Sequence, residues 1–241
     1  MAVRYIVASG KGVVGKSSVT AGLALALADR GKKVLCIDAD ALSRSLDMIM
    51  NAGEGIVFNW LDLISGSCTP ENALNFIGGG NAAVLVPPAG LNEKVTAESF
   101  GKMVLLYDSR FDYIFIDLPS GWSEICDFAL TAADRALIVA TPDPISLRSA
   151  SATADKISSK IQWTRLIINR FLTEEALSRT QLIPDECVDQ TETGLIGVIP
   201  EDISIRHMPA GKNLSQSAHS AFRRTAARID GENIPFKSKF L

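Results

Sequence analysis

Lys16 and Ser17 close a run, SGKGVVGKSS at 9–18, in which a cation, hydroxyls and three glycines stand at the spacing of a phosphate cradle. The run fits two templates. Gly10, Gly12 and Gly15 spell G-x-G-x-x-G, the turn of a dinucleotide-binding fold, and Gly10, Gly15, Lys16 and Ser17 spell G-x-x-x-x-G-K-S, the P-loop of nucleotide triphosphatases. The first predicts redox chemistry and the second a hydrolase or switch. Both need a strand before the loop and a helix after it, whose first N–H groups face the phosphates. Asp38 and Asp40 lie about 20 residues on, where a dinucleotide fold would put its ribose-binding acid, so position alone leaves both readings standing. Only the P-loop, however, uses a lysine on the outer phosphates and a hydroxyl on Mg2+.

A second group tilts the balance. The run FDYIFIDLPSG at 111–121 ends a short apolar stretch in Asp117. A P-loop enzyme needs a carboxylate near its metal at such a strand end. An acid after a strand is no signature alone, but paired with Gly10 to Ser17 in one sheet it favours the P-loop. Pro119 and Gly121 then form a stiff and then flexible turn suited to sensing a γ-phosphate.

The elements that must position these groups are legible as alternation. Val3 to Ala8, Val34 to Ile37, Ala83 to Val86, Tyr113 to Ile116, Ala136 to Ala140, Arg165 to Ile168 and Leu195 to Ile199 are continuous apolar runs, the pattern of strands buried on both faces. Helical spacing marks Ser17 to Arg30, closed by Gly31, and also Ala97 to Tyr107, Ser146 to Ile161 and Leu214 to Ile229. Strands alternating with helices predict an α/β fold: a single doubly wound, mostly parallel sheet flanked by helices. No repeat, low-complexity tract or linker divides the chain. The loops at 78–83 and 86–91 read as turns.

Composition narrows the classes. Across 241 residues, 47% hydrophobic and 21% charged side chains are those of a water-soluble globular protein. A net charge of -3 supplies no global basic field, so non-specific nucleic-acid binding is not favoured, although a local patch can hide in the sum. Cys36, Cys68, Cys126 and Cys187 have no metal-ligand spacing and read as reduced thiols of a cytoplasmic protein; His207 and His219 read as ordinary polar positions. The first residues are too briefly apolar for a secretion signal, and no stretch is long enough to span a bilayer.

Lys11 ahead of Lys16 gives K-G-x-x-G-K-S, the deviant Walker A form, and with it the chain resembles the MinD/ParA family of P-loop ATPases, its MinD branch most of all. The likeness runs through SLDMIM, DLISGSCTPENAL, FDYIFIDLPSG, ADRALIVATPDPISLRSA, LIINR and GVIPEDISI in the family's order. It implies a P-loop ATPase domain over 1–231 that binds ATP or ADP with Mg2+. Gly10, Lys11, Gly12, Val13, Val14, Gly15, Lys16, Ser17 and Ser18 would then surround the phosphates. Ser17, Asp38 and Asp117 would serve the metal, and Asp40 would position the attacking water. Asn169 and Arg170, with Pro200, Glu201 and Asp202, would hold the adenine. Lys11 would reach the partner's phosphates across an ATP-bound homodimer. The role implied is a slow ATPase switch in placement of the division septum, answering to an activating or effector protein. A partition ATPase on DNA or cargo, and a metal or iron–sulfur carrier, are the alternatives; the carrier lacks a cysteine pair beside Cys126.

The chain departs from the family at Val13 and Leu42, which replace glycines, and at Ser45, which replaces asparagine. Val13 is expected to resist a positive φ. Arg44 and Arg148 read as solvated surface arginines. The tail, ENIPFKSKFL at 232–241, sets Phe236 and Phe240 at i, i+4 beside Lys237, Lys239 and Leu241, with Pro235 as the first helical residue. By resemblance it would be a short amphipathic segment at the inner face of the cell membrane.

Overall fold

The computed structural model describes residues 1–53, 56–78, 80–90, 95–206 and 214–236. In chain order the elements are β1 (Val3–Ala8), α1 (Lys16–Ala28), β2 (Val34–Asp38), α2 (Leu46–Ile49), α3 (Trp60–Ile64), α4 (Pro70–Ala73), β3 (Asn75–Ile77), β4 (Ala82–Leu85), α5 (Ala97–Leu105), β5 (Tyr113–Asp117), α6 (Glu124–Ala132), β6 (Arg135–Ala140), α7 (Pro144–Ser158), β7 (Trp163–Phe171), α8 (Thr173–Leu177), α9 (Pro184–Thr191), β8 (Leu195–Pro200), α10 (Ile203–Arg206) and α11 (Gln216–Ile229).

The strands form one sheet in the order β3-β4-β2-β5-β1-β6-β7-β8. All neighbours are parallel except β3 and β4, which run antiparallel at one edge. The pleat sorts each apolar run onto two faces. Tyr5, Val7, Cys36, Phe115, Leu137 and Ile167 pack toward α1 and α11, while Ile6, Ala8, Ile37, Ile116, Ile138 and Ile168 pack toward α5, α6 and α7. Burial on both faces explains why these strands are continuously apolar.

Strand order discriminates the two opening templates. In a dinucleotide-binding fold the second strand lies beside the first. Here β5 lies between them, pairing with β1 through Val7 and Asp117 and with β2 through Asp38 and Asp117. Asp117 therefore arrives beside the glycine loop, and Asp38 is carried one strand further out.

Two features depart from the expectations. β3 is three residues long with Phe76 half exposed, too short to leave a sequence pattern. At the C-terminus, α11 ends at Ile229, and Pro235 and Phe236 continue without helix, so Pro235 does not open one among the described residues. Lys237 to Leu241 lie outside those residues, as does His207.

Candidate functional site

The loop between β1 and α1 is shaped by what surrounds it. Gly10 lies against the backbone of α7: a Cβ there would meet the Ser149 carbonyl oxygen at 2.1 Å. Gly15 has φ 84 and caps α1 with no side chain, and a Cβ on it would stand 2.5 Å from Asn169 Nδ2. The first-turn N–H groups of α1 thus have no capping acceptor and face a cavity of about 240 Å3. Gly12, Val13, Val14, Gly15, Lys16, Ser17 and Ser18 line it from the loop, and Asp40, Ser43, Ser45 and Ser120 from across it.

Val13 overturns the expectation made for it. Its φ is +66, in the left-handed region, and its side chain is 86% exposed. A β-branched residue there costs roughly 1–2 kcal/mol. The loop holds the glycine-like shape against the side chain's preference. Arg44, expected as a solvated surface arginine, has φ +42 and pairs with Asp47 at 3.5 Å.

Beneath the loop, Lys16 Nζ lies 3.1 Å from Asp117 Oδ1, with the lysine 7% exposed and the aspartate wholly buried. Thr20 Oγ1 donates to Asp117 Oδ1 at 2.8 Å and Ser17 Oγ donates to Oδ2 at 2.6 Å. Thr20 was not singled out in the sequence, although it stands one helical turn past Lys16 on the face of α1 turned to the sheet. Asp38, buried on the adjacent strand, accepts from Asp40 N at 2.9 Å and from Ser45 N and Leu46 N at 3.1 Å. Burial, then the nearby Asp117 charge, pushes its carboxyl up to about 7 despite those backbone donors and Lys16. Asp40 Oδ1 accepts from Leu42 N and Ser43 N, which folds the segment after β2 over the cavity.

Asn169 and Arg170 sit where the β7–β8 register shifts, and Arg170 takes φ +59. Such irregularities re-aim side chains. Asn169, 3% exposed, donates Nδ2 to Val14 O at 2.7 Å and so ties β7 to the glycine loop. With Arg170, Pro200, Glu201 and Asp202 it lines a narrow cleft that adjoins the loop at Gly15 and Ser18. Lys11 is exposed. Its described neighbour in charge is Asp143, whose carboxyl burial would raise but which bonds from Thr141 and the Ser146 N–H, together with Lys11, hold below the usual range. Arg148 is exposed on α7.

One loop, two buried carboxylates on adjacent strands and a narrow cleft thus meet at the C-terminal edge of the sheet. A family model for the CobQ/CobB/MinD/ParA nucleotide-binding domain matches residues 5–214. The chain belongs to this family. It is 33% identical over 240 residues to the septum site-determining protein MinD of Synechocystis, covering 96% of this chain and 90% of that one. It is 30% identical to the MinD of Bacillus subtilis, over 96% of this chain and 90% of that one. Among solved structures, the MinD chain of the MinC:MinD cell division complex of Aquifex aeolicus superposes with TM-score 0.89 at 32% identity, covering 99% of this chain and all of that one. MinD of Pyrococcus horikoshii, complexed with Mg-ADP, superposes with TM-score 0.83 at 25% identity, over 96% and 97% of the two chains. The fold is that of the MinD/ParA P-loop NTPases. No helix among the described residues is long and apolar enough to cross a membrane.

Proposed function

We propose that this chain is an ATP-dependent, dimerising switch of the MinD type, which binds and slowly hydrolyses ATP in the service of division-septum placement. The observation that carries the reading is the buried Lys16–Asp117 pair beneath an uncapped helix N-terminus, with Ser17 and Asp38 alongside. The donor set of Ser17, Asp38 and Asp117 is all oxygen and net negative, which suits a hard divalent cation such as Mg2+. Mg2+ would supply charge neutralisation to the phosphates there.

The chain's own residues do the rest. Backbone N–H groups from Gly10 to Ser18 orient the phosphates, and Lys16 offsets charge on the outer ones. Asp40 holds the hydrolytic water, and Asn169, Arg170 and Pro200 to Asp202 hold the base. Exposed Lys11 completes the site of a second copy. Val13 and Leu42, 86% and 96% exposed on this rim, are apolar groups that such a copy would cover. An effector protein reads the dimer, and the tail from 232 carries the cytoplasmic protein to the membrane surface. The named relatives support septum placement, and the MinC:MinD complex supports an effector.

Phosphate release with ATP and Mg2+, measured beside calorimetry with ATP and with NAD, tests the reading. Tight ATP binding with slow release is expected. Binding of NAD in place of ATP would overturn it.

A further inference from the structure

The helix α11 concentrates cations. Its sequence, QSAHSAFRRTAARI, holds three arginines and a histidine and no acid, in a chain whose net charge is -3. Its inner face, Ala218, Phe222, Thr225, Ala226 and Ile229, is buried. Arg223 and Arg224 lie on the exposed face. Several other surface arginines have carboxylate partners, as in Arg4–Asp134, Arg110–Glu71 and Arg179–Glu186. Arg223 and Arg224 have none among the described residues.

Arg228, one turn on, joins this face to the root of the tail. Its Nε donates to Ile234 O at 2.8 Å, its Nη1 donates to Ile196 O at 3.1 Å, and its guanidinium lies 3.7 Å from the Phe236 ring centroid. Burial, then the charge of Arg224, lowers its affinity for its proton, so the two cations are close enough to interact. The end of α11 also meets the start of β5, through Tyr113 and Asp230. Arg228 and the root of the tail therefore lie at the sheet's N-terminal edge, opposite the phosphate cavity.

We propose that Arg223, Arg224 and Arg228 form an electrostatic contact for an anionic lipid surface, acting beside the tail; this rests on the reading that the tail engages a membrane. A lipid surface uses both charge and apolar insertion. The structure sets the Phe236 ring against Arg228, and the sequence continues with Lys237, Lys239, Phe240 and Leu241. A nucleic acid would use the arginines and leave the apolar groups without a role.

The test is sedimentation of the full chain, with ATP and Mg2+, on vesicles of phosphatidylglycerol in phosphatidylcholine and on phosphatidylcholine alone. R223A/R224A should bind the anionic vesicles about 30-fold more weakly, from roughly 1 kcal/mol per arginine near such a surface. It should keep its affinity for ATP. R223K/R224K should bind as the wild type does. Deleting residues 236–241 tests the tail on its own: loss of all vesicle binding is expected, and unchanged binding would overturn the tail reading while leaving the arginine face. R223A/R224A sedimenting like the wild type overturns the arginine face and leaves the tail reading. Wild type that ignores both vesicles overturns both. Loss of duplex DNA binding by R223A/R224A, with vesicle binding unchanged, overturns the lipid assignment in favour of nucleic acid.

Discussion

At the C-terminal edge of the sheet, Lys16, Asp38, Asp40 and Asp117 are buried around an open cavity, whereas at the N-terminal edge the carboxylates of Asp134 and Asp230 are each met by several donors. Arg4 gives Asp134 a backbone N–H and two guanidinium bonds of 2.8–3.0 Å. Asp230 takes Lys32 at 2.9 Å, Arg30 at 3.2 Å and Tyr113 OH at 2.8 Å. Burial alone would raise both carboxyls, but these partners hold them below the usual range. At the other edge burial and Asp117 win, and Asp38 is pushed up. Left-handed backbone occurs at Val13, Arg44 and Arg170 on the first edge and at Glu192, ahead of β8, on the other. Donors meet the carboxylates at both edges, but at the phosphate edge Asp38 and Asp117 are wholly buried on adjacent strands, where a divalent cation would offset the two charges.

The largest effect that would break this contrast is at Lys16. Lys16→Ala should weaken ATP binding by about 100-fold or more, and leaving Asp117 buried without its cation should cost about 3 kcal/mol. Arg4→Ala removes a part-exposed pair, so it should cost about 1 kcal/mol and leave ATP binding unchanged. Calorimetry and thermal melting read both. Comparable loss of ATP binding in the two variants would erase the distinction.

The edges should also answer pH with opposite sign. Asp38 has a folded pKa of about 7, above its ordinary 3.8. Its contribution is whole below about pH 4 and is lost as pH rises through about 7. Asp230 is lowered, so its contribution is whole above about pH 4 and is lost on acidification below that. Without Mg2+, Asp38→Asn should therefore gain on the wild type by about 2 to 3 kcal/mol between about pH 5 and 8. Asp230→Asn should be most destabilised at neutral pH and approach the wild type in acid. Melting curves across pH decide the signs.

A smaller effect is expected at Asn169, whose amide ties β7 to Val14 O. Asn169→Ala should cost about 1 kcal/mol of stability and weaken nucleotide binding about 10-fold, read by melting and calorimetry. The smallest is at Val13. Val13→Gly relieves left-handed strain but loosens the unfolded chain, for a net gain of about 0.5 kcal/mol in melting experiments.

The buried strands and the phosphate loop were legible because each is a local signal: a continuous apolar run, or a cation and hydroxyl at fixed spacing from glycines. The placement of β5 between β1 and β2 was not, since it is a long-range choice that no window of sequence contains. The contact between Ser17, Thr20 and Asp117 depends on that placement, so Thr20 went unnoticed. Val13 misled because propensity argues against a positive φ, while the packing of Gly10 on α7 and of Gly15 under Asn169 fixes the loop regardless. The arginine face of α11 was hidden in a net charge that sums over the whole chain.

Light scattering of the chain with ATP and with ADP, in the presence of Mg2+, tests the proposed switch most directly. The mass should double in ATP and not in ADP. Lys11→Ala should bind ATP yet stay monomeric, and Asp40→Ala should remain dimeric in ATP because water positioning is lost while binding is kept. The same mass in both nucleotides, or ATP-driven dimerisation of Lys11→Ala equal to that of the wild type, would contradict the account.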